Sequence, residues 1–214
     1  MTKIKGMTVL VAAICMILGL HVSSHDVFAY QYDMPVIDDI EIELNEETYS
    51  SIAYPDGNVS QASVDRANEL LNTLPEGLLE RFINDGWTFY ITDKNIAATY
   101  FAGQYNSVMG VTFDDDKTIY IEQRSKAIEE STVHEFGHYV DDTYGCFTDT
   151  NEFAQIYNTE SGSFVNAFNV NFHYDVHEFW ADGFYRYYDS ERETLRNACP
   201  QLCSYIEGIV ESLC

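Results

Sequence analysis

One segment restricts the fold of this chain more than any other. The stretch 131-STVHEFGHYVDD-142 places His134 and His138 four residues apart, with Glu135 directly after the first histidine. In an α-helix, residues four apart lie one turn apart on the same face, so both imidazoles can reach one metal ion. The segment therefore predicts a helix that carries a metal site, and an ordinary core helix with incidental histidines is the alternative.

The apolar residues around this segment also follow a helical pattern. Four of them recur every three or four residues and form a predicted buried stripe: Val133, Phe136, Val140 and Tyr144. The helix is expected to begin near Ser125 and to end at Gly145. Gly137 stands inside it although glycine costs about 1 kcal/mol relative to alanine in a helix, which predicts the close approach of another backbone.

The segments on either side of this helix alternate between helix and strand patterns, which indicates an α+β fold. Before it we predict helices over 60–75 and 76–86, a strand over 87–93, and a hairpin with strands 108–113 and 118–122. After it we predict helices over 150–160, from Asp175 and from Ser190, and a final turn-rich or helical segment from Pro200 onward. The expected architecture is a small sheet with a hairpin packed on the histidine-bearing helix, followed by a helical subdomain.

The N-terminus is typical of a secretory signal peptide. Lys3 and Lys5 precede the apolar run 7-MTVLVAAICMILGL-20, and Val27-Phe28-Ala29 resembles a small-residue cleavage site. An uncleaved membrane anchor is the alternative, but this apolar run is shorter than the roughly 20 residues of a bilayer span. We therefore expect a secreted protein without stable membrane association after cleavage.

This interpretation divides the chain into three parts. Residues 1–29 are the signal peptide, and 56–214 are one folded domain. Residues 30–55 are acidic and irregular in their apolar pattern, which is consistent with a tether, a propeptide or a covering strand. Removal of the signal changes the formal charge from −24 to −25, because two lysines and one aspartate leave with it. A polyanion of this strength excludes nucleic acid as a partner and favours a soluble, monomeric extracellular protein.

Four cysteines remain after signal cleavage, and an even number in a secreted chain predicts two disulfides. They are Cys146, Cys199, Cys203 and Cys214. Cys199 and Cys203 are four residues apart in a predicted helix, a separation that suits a disulfide poorly, so each is expected to pair with one of the other two. A cysteine metal site is the weaker alternative, since no second closely spaced pair accompanies them.

The HExxH spacing is typical of zinc hydrolases. The histidines bind Zn²⁺, and Glu135 is placed to act as general base on a zinc-activated water. A hydrolytic zinc site needs a third protein ligand. Glu178 is the first candidate, with Asp182 one turn later as a hydrogen-bond partner for a ligating histidine. His177 is the alternative third ligand, in which case Glu178 only caps its helix.

Two motifs together carry a family resemblance. The segments 134-HEFGHYVDDTYG-145 and 178-EFWADGFYRYY-188 resemble the protease domain of the anthrax lethal factor family, which includes small secreted Pro-Pro endopeptidases. The resemblance covers the C-terminal half strongly and the chain from about residue 56 loosely. It implies a zincin-like metallopeptidase domain over 56–214, with three zinc ligands and one general base. These are His134, His138 and Glu178 as ligands and Glu135 as the base.

The sequence departs from the family pattern at two positions. Asp182 stands where the family usually has glutamate, a change that keeps the carboxylate. The family also has a tyrosine about two helical turns before the ligand glutamate, which donates a hydrogen bond to the oxyanion, and Asn171 occupies that spacing here. Tyr174 is the expected substitute and His173 a second candidate.

The predicted function is therefore a secreted zinc metalloendopeptidase that cleaves extracellular proteins or peptides. Two other functions remain open from the sequence. One is a catalytically inactive, toxin-like binding subunit of the same fold, although a binding module has no need of Glu135. The other is a zinc amidase that acts on a non-protein substrate, which would show a closed pocket instead of an open groove.

Overall fold

The part of the chain that the structure describes is built on a mixed sheet of four strands. A computed structural model describes residues 51–104, 108–170 and 175–214. The strands are β1 (Ala53–Asp56), β2 (Thr88–Thr92), β3 (Gly110–Phe113) and β4 (Thr118–Glu122). They lie in the order β1-β2-β4-β3, with β1, β2 and β4 parallel and β3 antiparallel to β4 across the predicted hairpin. Among the described residues, β3 is therefore an edge strand.

Helices cover the sheet and form the C-terminal half of the described chain, which confirms the predicted α+β class. They are α1 (Gln61–Leu71), α2 (Glu76–Asn84), α3 (Ile96–Tyr100), α4 (Ser125–Tyr144), α5 (Asn151–Phe168), α6 (Val176–Tyr188), α7 (Arg192–Ala198) and α8 (Pro200–Leu213). A short 3-10 turn, Phe147–Asp149, joins α4 to α5. Within the described ranges, none of these helices is long and apolar enough to span a bilayer.

Helix α4 lies at the centre of the core. It packs against α1, β3 and β4 on one side and against α6 on the other. The buried stripe is as predicted for Val133, Phe136 and Val140, while Tyr144 is partly buried and donates a hydrogen bond to Asp85 at 2.6 Å. Gly145 ends the helix with a φ of 133°, a conformation that glycine adopts without strain.

The close approach predicted at Gly137 is confirmed. A Cβ atom added there would lie 3.2 Å from both the Ala181 Cα and the Phe184 Cβ of α6. The indole of Trp180 in α6 lies at the same helix–helix contact and donates a hydrogen bond from Nε1 to the Gly137 carbonyl at 2.8 Å. Because the two backbones nearly touch, α6 is held at a fixed position over α4.

We expect Gly137→Ala to destabilise the fold by about 1–3 kcal/mol, because the added methyl group forces two packed helices apart. This loss opposes the gain of about 1 kcal/mol in helix propensity. Gly162 is the matched control, since it lies inside α5 with no atom within 4 Å of an added Cβ. Gly162→Ala should therefore raise the unfolding midpoint in urea. Equal midpoints for the two variants would contradict the close-packing account.

The C-terminal helical subdomain is joined by buried aromatic residues and by one buried carboxylate. Glu160 of α5 accepts hydrogen bonds from the backbone N–H groups of Gln201 and Leu202, both at 2.9 Å. Pro200 begins α8, and the second and third residues of that helix would otherwise leave their N–H groups unpaired. A side chain 40 positions away in sequence thus caps α8, which sequence spacing does not reveal.

Several element boundaries differ from the predictions. Helix α5 continues through Gly162 to Phe168, beyond the predicted end at Glu160. The short helix α3 was not predicted. Strand β1 begins at Ala53, three residues before the predicted start of the domain, and pairs with β2. The chain divides into units Met1–Glu46 and Glu47–Cys214, and the predicted signal peptide and most of the acidic segment lie outside the described residues.

The two predicted disulfides are absent from the structure. Cys146 and Cys214 are exposed free thiols, and Cys199 and Cys203 are buried free thiols. Cys199 lies against the Glu160 carbonyl, with Sγ at 3.7 Å from the oxygen, and burial raises the pKa of its thiol to about 12. Both buried cysteines are thus used as small apolar core residues of the helical subdomain.

Candidate active site

The two histidines of α4 meet the glutamate of α6 at one point. His134 Nε2 lies 3.3 Å from Glu178 Oε2, and His138 Nε2 lies 3.6 Å from Glu178 Oε1. One donor atom from each of the three residues lies within 4.8 Å of the others. Ligand atoms of a tetrahedral Zn²⁺ site, at about 2.0–2.1 Å from the metal, are about 3.3 Å apart. The donor types and their spacing therefore fit one zinc ion.

Local sequence fixes where Glu178 points. Asp175 caps α6, and its carboxylate accepts hydrogen bonds from the N–H groups of His177 at 3.0 Å and Glu178 at 3.1 Å. This cap starts the helix so that Glu178 lies in its first turn, facing α4. The Gly137 contact sets the distance between α4 and α6. The three candidate ligands therefore come from two helices, and none comes from a loop.

Asp182 orients the first histidine. Its Oδ1 lies 3.0 Å from His134 Nδ1, which leaves Nε2 of the same ring facing Glu178. Burial lowers the pKa of His134, but hydrogen bonds to Asp182 and Glu178 more than offset this and raise it well above its usual range. Burial raises the pKa of Glu178, while hydrogen bonds from His134 and His138 lower it well below its usual range. Both shifts reflect the same close contact between the Glu178 carboxylate and the two imidazoles.

We expect Asp182→Asn to weaken zinc binding by about 10- to 100-fold, because an amide neither fixes the His134 tautomer nor supports its charge as a carboxylate does. Competition with a chromophoric chelator measures the affinity directly. Asp182→Glu is the matched control and should retain most of it. Unchanged affinity in the asparagine variant would show that Asp182 does not act on the ligand.

Glu135 lies beside the three candidate metal ligands and contacts the edge strand β3. The residue is 7% exposed, and its Oε2 accepts a hydrogen bond from Thr112 Oγ1 of β3 at 2.8 Å. Gly110 of the same strand leaves room for it, because a Cβ there would lie 2.8 Å from both Cγ and Oε1 of Glu135. Neither Gly110 nor Thr112 was predicted as a site residue.

His177, the alternative third ligand, has other partners. Its Nδ1 lies 2.7 Å from Thr148 Oγ1 and 3.2 Å from Asp141 Oδ2, and its Nε2 lies 3.6 Å from Asp149. The buried Asp141 also accepts hydrogen bonds from the backbone N–H and the hydroxyl of Thr148. This network joins the end of α4 to the start of α6, and His177 is not in the donor group formed by the three ligands.

Two cavities border the metal ligands along β3. One, of about 280 Å³, extends past His138 toward Phe101 and Asp142. The other, of about 350 Å³, extends past His134 toward Met109 and Glu130. Gly110, Glu135 and Glu178 line both, so the ligands lie at the middle of a groove with space on each side. Tyr174, predicted to donate to the oxyanion, and His173 lie outside the described residues.

Comparison with known proteins identifies the family of this chain. The model of the family described as anthrax toxin lethal factor, N- and C-terminal domain, matches residues 39–209, which is most of the chain. The chain belongs to the anthrax lethal factor family. The resemblance carried by the two sequence motifs is thus confirmed, and the match begins upstream of the predicted domain start at residue 56. A comparison with curated protein sequences gives no match.

A solved structure shows the same fold. The Pro-Pro endopeptidase PPEP-2 from Paenibacillus alvei is similar with a TM-score of 0.59 and 16% sequence identity, over 75% of this chain and 98% of that one. At this identity the likeness establishes the architecture, which is the small sheet, the HExxH helix and the C-terminal helices of a lethal factor-like metalloendopeptidase fold. The predicted fold class is therefore confirmed.

Proposed function

We propose that this member of the lethal factor family is a secreted zinc metalloendopeptidase that hydrolyses peptide bonds in extracellular proteins. The observation that carries the proposal is the convergence of His134, His138 and Glu178 with Glu135 buried beside them. A binding subunit would need neither the base nor ligand spacing that fits zinc. The groove that continues on both sides of the ligands favours an extended peptide over a small amide substrate.

The proposed roles follow from the positions of the side chains. Zinc held by the three ligands would polarise the scissile carbonyl and activate a water molecule for attack. Glu135 accepts the proton of that water at its carboxylate and passes it to the leaving amine. Asp182 keeps His134 in the ligating orientation. Tyr174 remains our proposal for the donor to the oxyanion, a contribution on the order of a hundredfold in rate.

The edge strand supports a binding mode for the substrate. β3 has one side free of strand partners among the described residues and borders the groove. An extended peptide can add to such an edge through backbone hydrogen bonds, which places its scissile bond beside the metal ligands. We therefore propose that the substrate binds along β3.

Secretion and the division of the chain complete the proposal. Residues 1–29 are proposed to be cleaved as a signal peptide, and the acidic residues that follow, up to the start of β1 at Ala53, to be an N-terminal segment ahead of the peptidase domain. The acidic, monomeric mature protein is proposed to act on extracellular peptides and to bind neither nucleic acid nor membranes stably. The N-terminal sequence of the protein recovered from culture medium measures the cleavage site.

A peptide library tests the activity. The zinc-loaded protein is incubated with extended peptides, including Pro-Pro sequences, and cleaved bonds are identified by mass spectrometry. We expect internal cleavage at a restricted set of bonds, blocked by a zinc chelator. A protein that binds zinc but cleaves no peptide, while releasing ammonia or amine from small amides, would replace the peptidase proposal with an amidase.

A further inference from the structure

We propose that Thr112 is a positioning residue for Glu135, and that the edge strand β3 holds the general base in place as well as the substrate. This inference rests on the proposed function for its catalytic consequence. Its structural basis is the pair of contacts that the Thr112 hydroxyl of β3 makes with Glu135 of α4.

The first observation is how Glu135 is paired. Glu135 as a residue is 7% exposed and lines both cavities, and Thr112 is the one hydrogen-bond donor that the described residues give to its side chain. The Thr112 hydroxyl also lies 3.1 Å from the Glu135 backbone carbonyl, so it contacts both ends of the same residue. A hydrogen bond to a charged group contributes more than one between neutral groups, so this hydroxyl helps to fix the side chain.

The second observation is the room left on the other side of the carboxylate. Gly110 and Thr112 are two residues apart on a strand, so both face α4. A side chain at Gly110 would contact Glu135 Cγ and Oε1 at 2.8 Å, and Ile121 Cδ1 at 2.9 Å. The glycine therefore provides a slot for one carboxylate oxygen while the threonine holds the other. Together they restrict a side chain that has three rotatable bonds.

The consequence is a link between substrate binding and the position of the base. The strand that is proposed to pair with the peptide is the strand that holds the carboxylate, with only Val111 between Gly110 and Thr112. A peptide bound along β3 would therefore be set at a fixed distance from Glu135. Displacing a catalytic group by about 1 Å can cost on the order of 100-fold in rate.

The test compares kinetics in zinc-loaded variants of the whole protein. Thr112→Val removes the hydroxyl and keeps the shape, and it should lower kcat by about tenfold or more, with KM and zinc affinity within twofold of the native values. Thr112→Ser should restore most of kcat. Thr118→Val removes a buried threonine hydroxyl from the neighbouring strand β4 and serves as the control. Equal kcat values for Thr112→Val and Thr118→Val would overturn the inference.

A second measurement, the melting temperature, does not depend on peptide cleavage. It therefore tests this inference separately from the proposed function. Thr112→Val should lower the melting temperature at least twice as much in the native protein as in Glu135→Ala, because the second background lacks the carboxylate that the hydroxyl pairs with. Equal shifts in the two backgrounds would overturn it, whether or not any peptide is cleaved. Should the valine variant fail to fold, the same comparison applies to Thr112→Ser, which keeps a hydroxyl donor, and Thr112→Cys, whose thiol is a weaker donor.

Discussion

Glu135→Gln is expected to reduce kcat for peptide cleavage by about 10²- to 10⁴-fold, while zinc remains bound at one ion per chain. The amide keeps the volume of the side chain and one acceptor oxygen for Thr112, but it cannot take a proton from the attacking water. The rate is measured on the best peptide from the library, and zinc content is measured on the same sample.

A carboxylate elsewhere on α4 provides the control for this variant. Glu129 is partly exposed and pairs with Arg66, with Oε1 at 2.7 Å from Nε, away from the metal ligands. Glu129→Gln removes the same charge from the same helix and should leave kcat unchanged. A Glu135→Gln protein with more than a tenth of the native rate would show that the proton is accepted by another group.

Glu178→Ala is expected to weaken zinc binding by more than about 100-fold and to abolish cleavage. Even partners that only orient a ligand contribute 10- to 100-fold to metal affinity, and Glu178 itself lies within 3.3 Å and 3.6 Å of the two histidine nitrogens. The variant should also lose the stabilisation that excess zinc gives to the native protein against thermal unfolding.

His177→Ala distinguishes the two candidates for the third ligand. Its imidazole contacts Thr148 and Asp141, so its removal should lower zinc affinity by less than tenfold through a small change at the start of α6. The reverse result, with zinc lost in His177→Ala and kept in Glu178→Ala, would show that the third ligand comes from His177 and that α6 is rotated in the zinc-bound protein.

The sequence was sufficient for those features that local signals determine. Helix α4 begins at Ser125 and ends at Gly145 as predicted, because its apolar period is unbroken and its end has a glycine. The start of α6 was also predictable from the sequence, since Asp175 is a strong N-cap residue and Glu178 follows three positions later. Glu178 was preferred over His177 as the third ligand because Asp182 follows it one helical turn later on the same face.

The features that the sequence did not reveal depend on contacts between distant residues. The hydroxyl of Thr112 meets Glu135, 23 positions away, and no local pattern marks a strand threonine as the partner of a helix carboxylate. Strand β1 is four residues long and contains Pro55, which weakens any strand prediction, yet pairing with β2 stabilises it. The helix predicted to end at Glu160 continues through Gly162 to Phe168 as α5, because apolar packing on both sides of the glycine outweighs one unfavourable residue.

The cysteines are a second case in which the sequence did not reveal contacts between distant residues. An even count in a secreted chain predicts disulfides, but the count does not distinguish a crosslink from a core residue. Cys199 and Cys203 occupy apolar positions between α5, α7 and α8, where burial, not pairing, accounts for them. Cys146 follows α4 in the left-handed conformation with a φ of 44° and is exposed.

The most direct test of the account is a zinc titration of the metal-free protein with cleavage of one library peptide as the readout. We predict no cleavage without metal, a linear rise of the rate as zinc is added, and a plateau at one zinc per chain, with no rise at any ratio for Glu135→Gln. Cleavage by the metal-free protein, or a native protein that binds one zinc and leaves every peptide intact, would contradict the assignment of this site as a zinc endopeptidase centre.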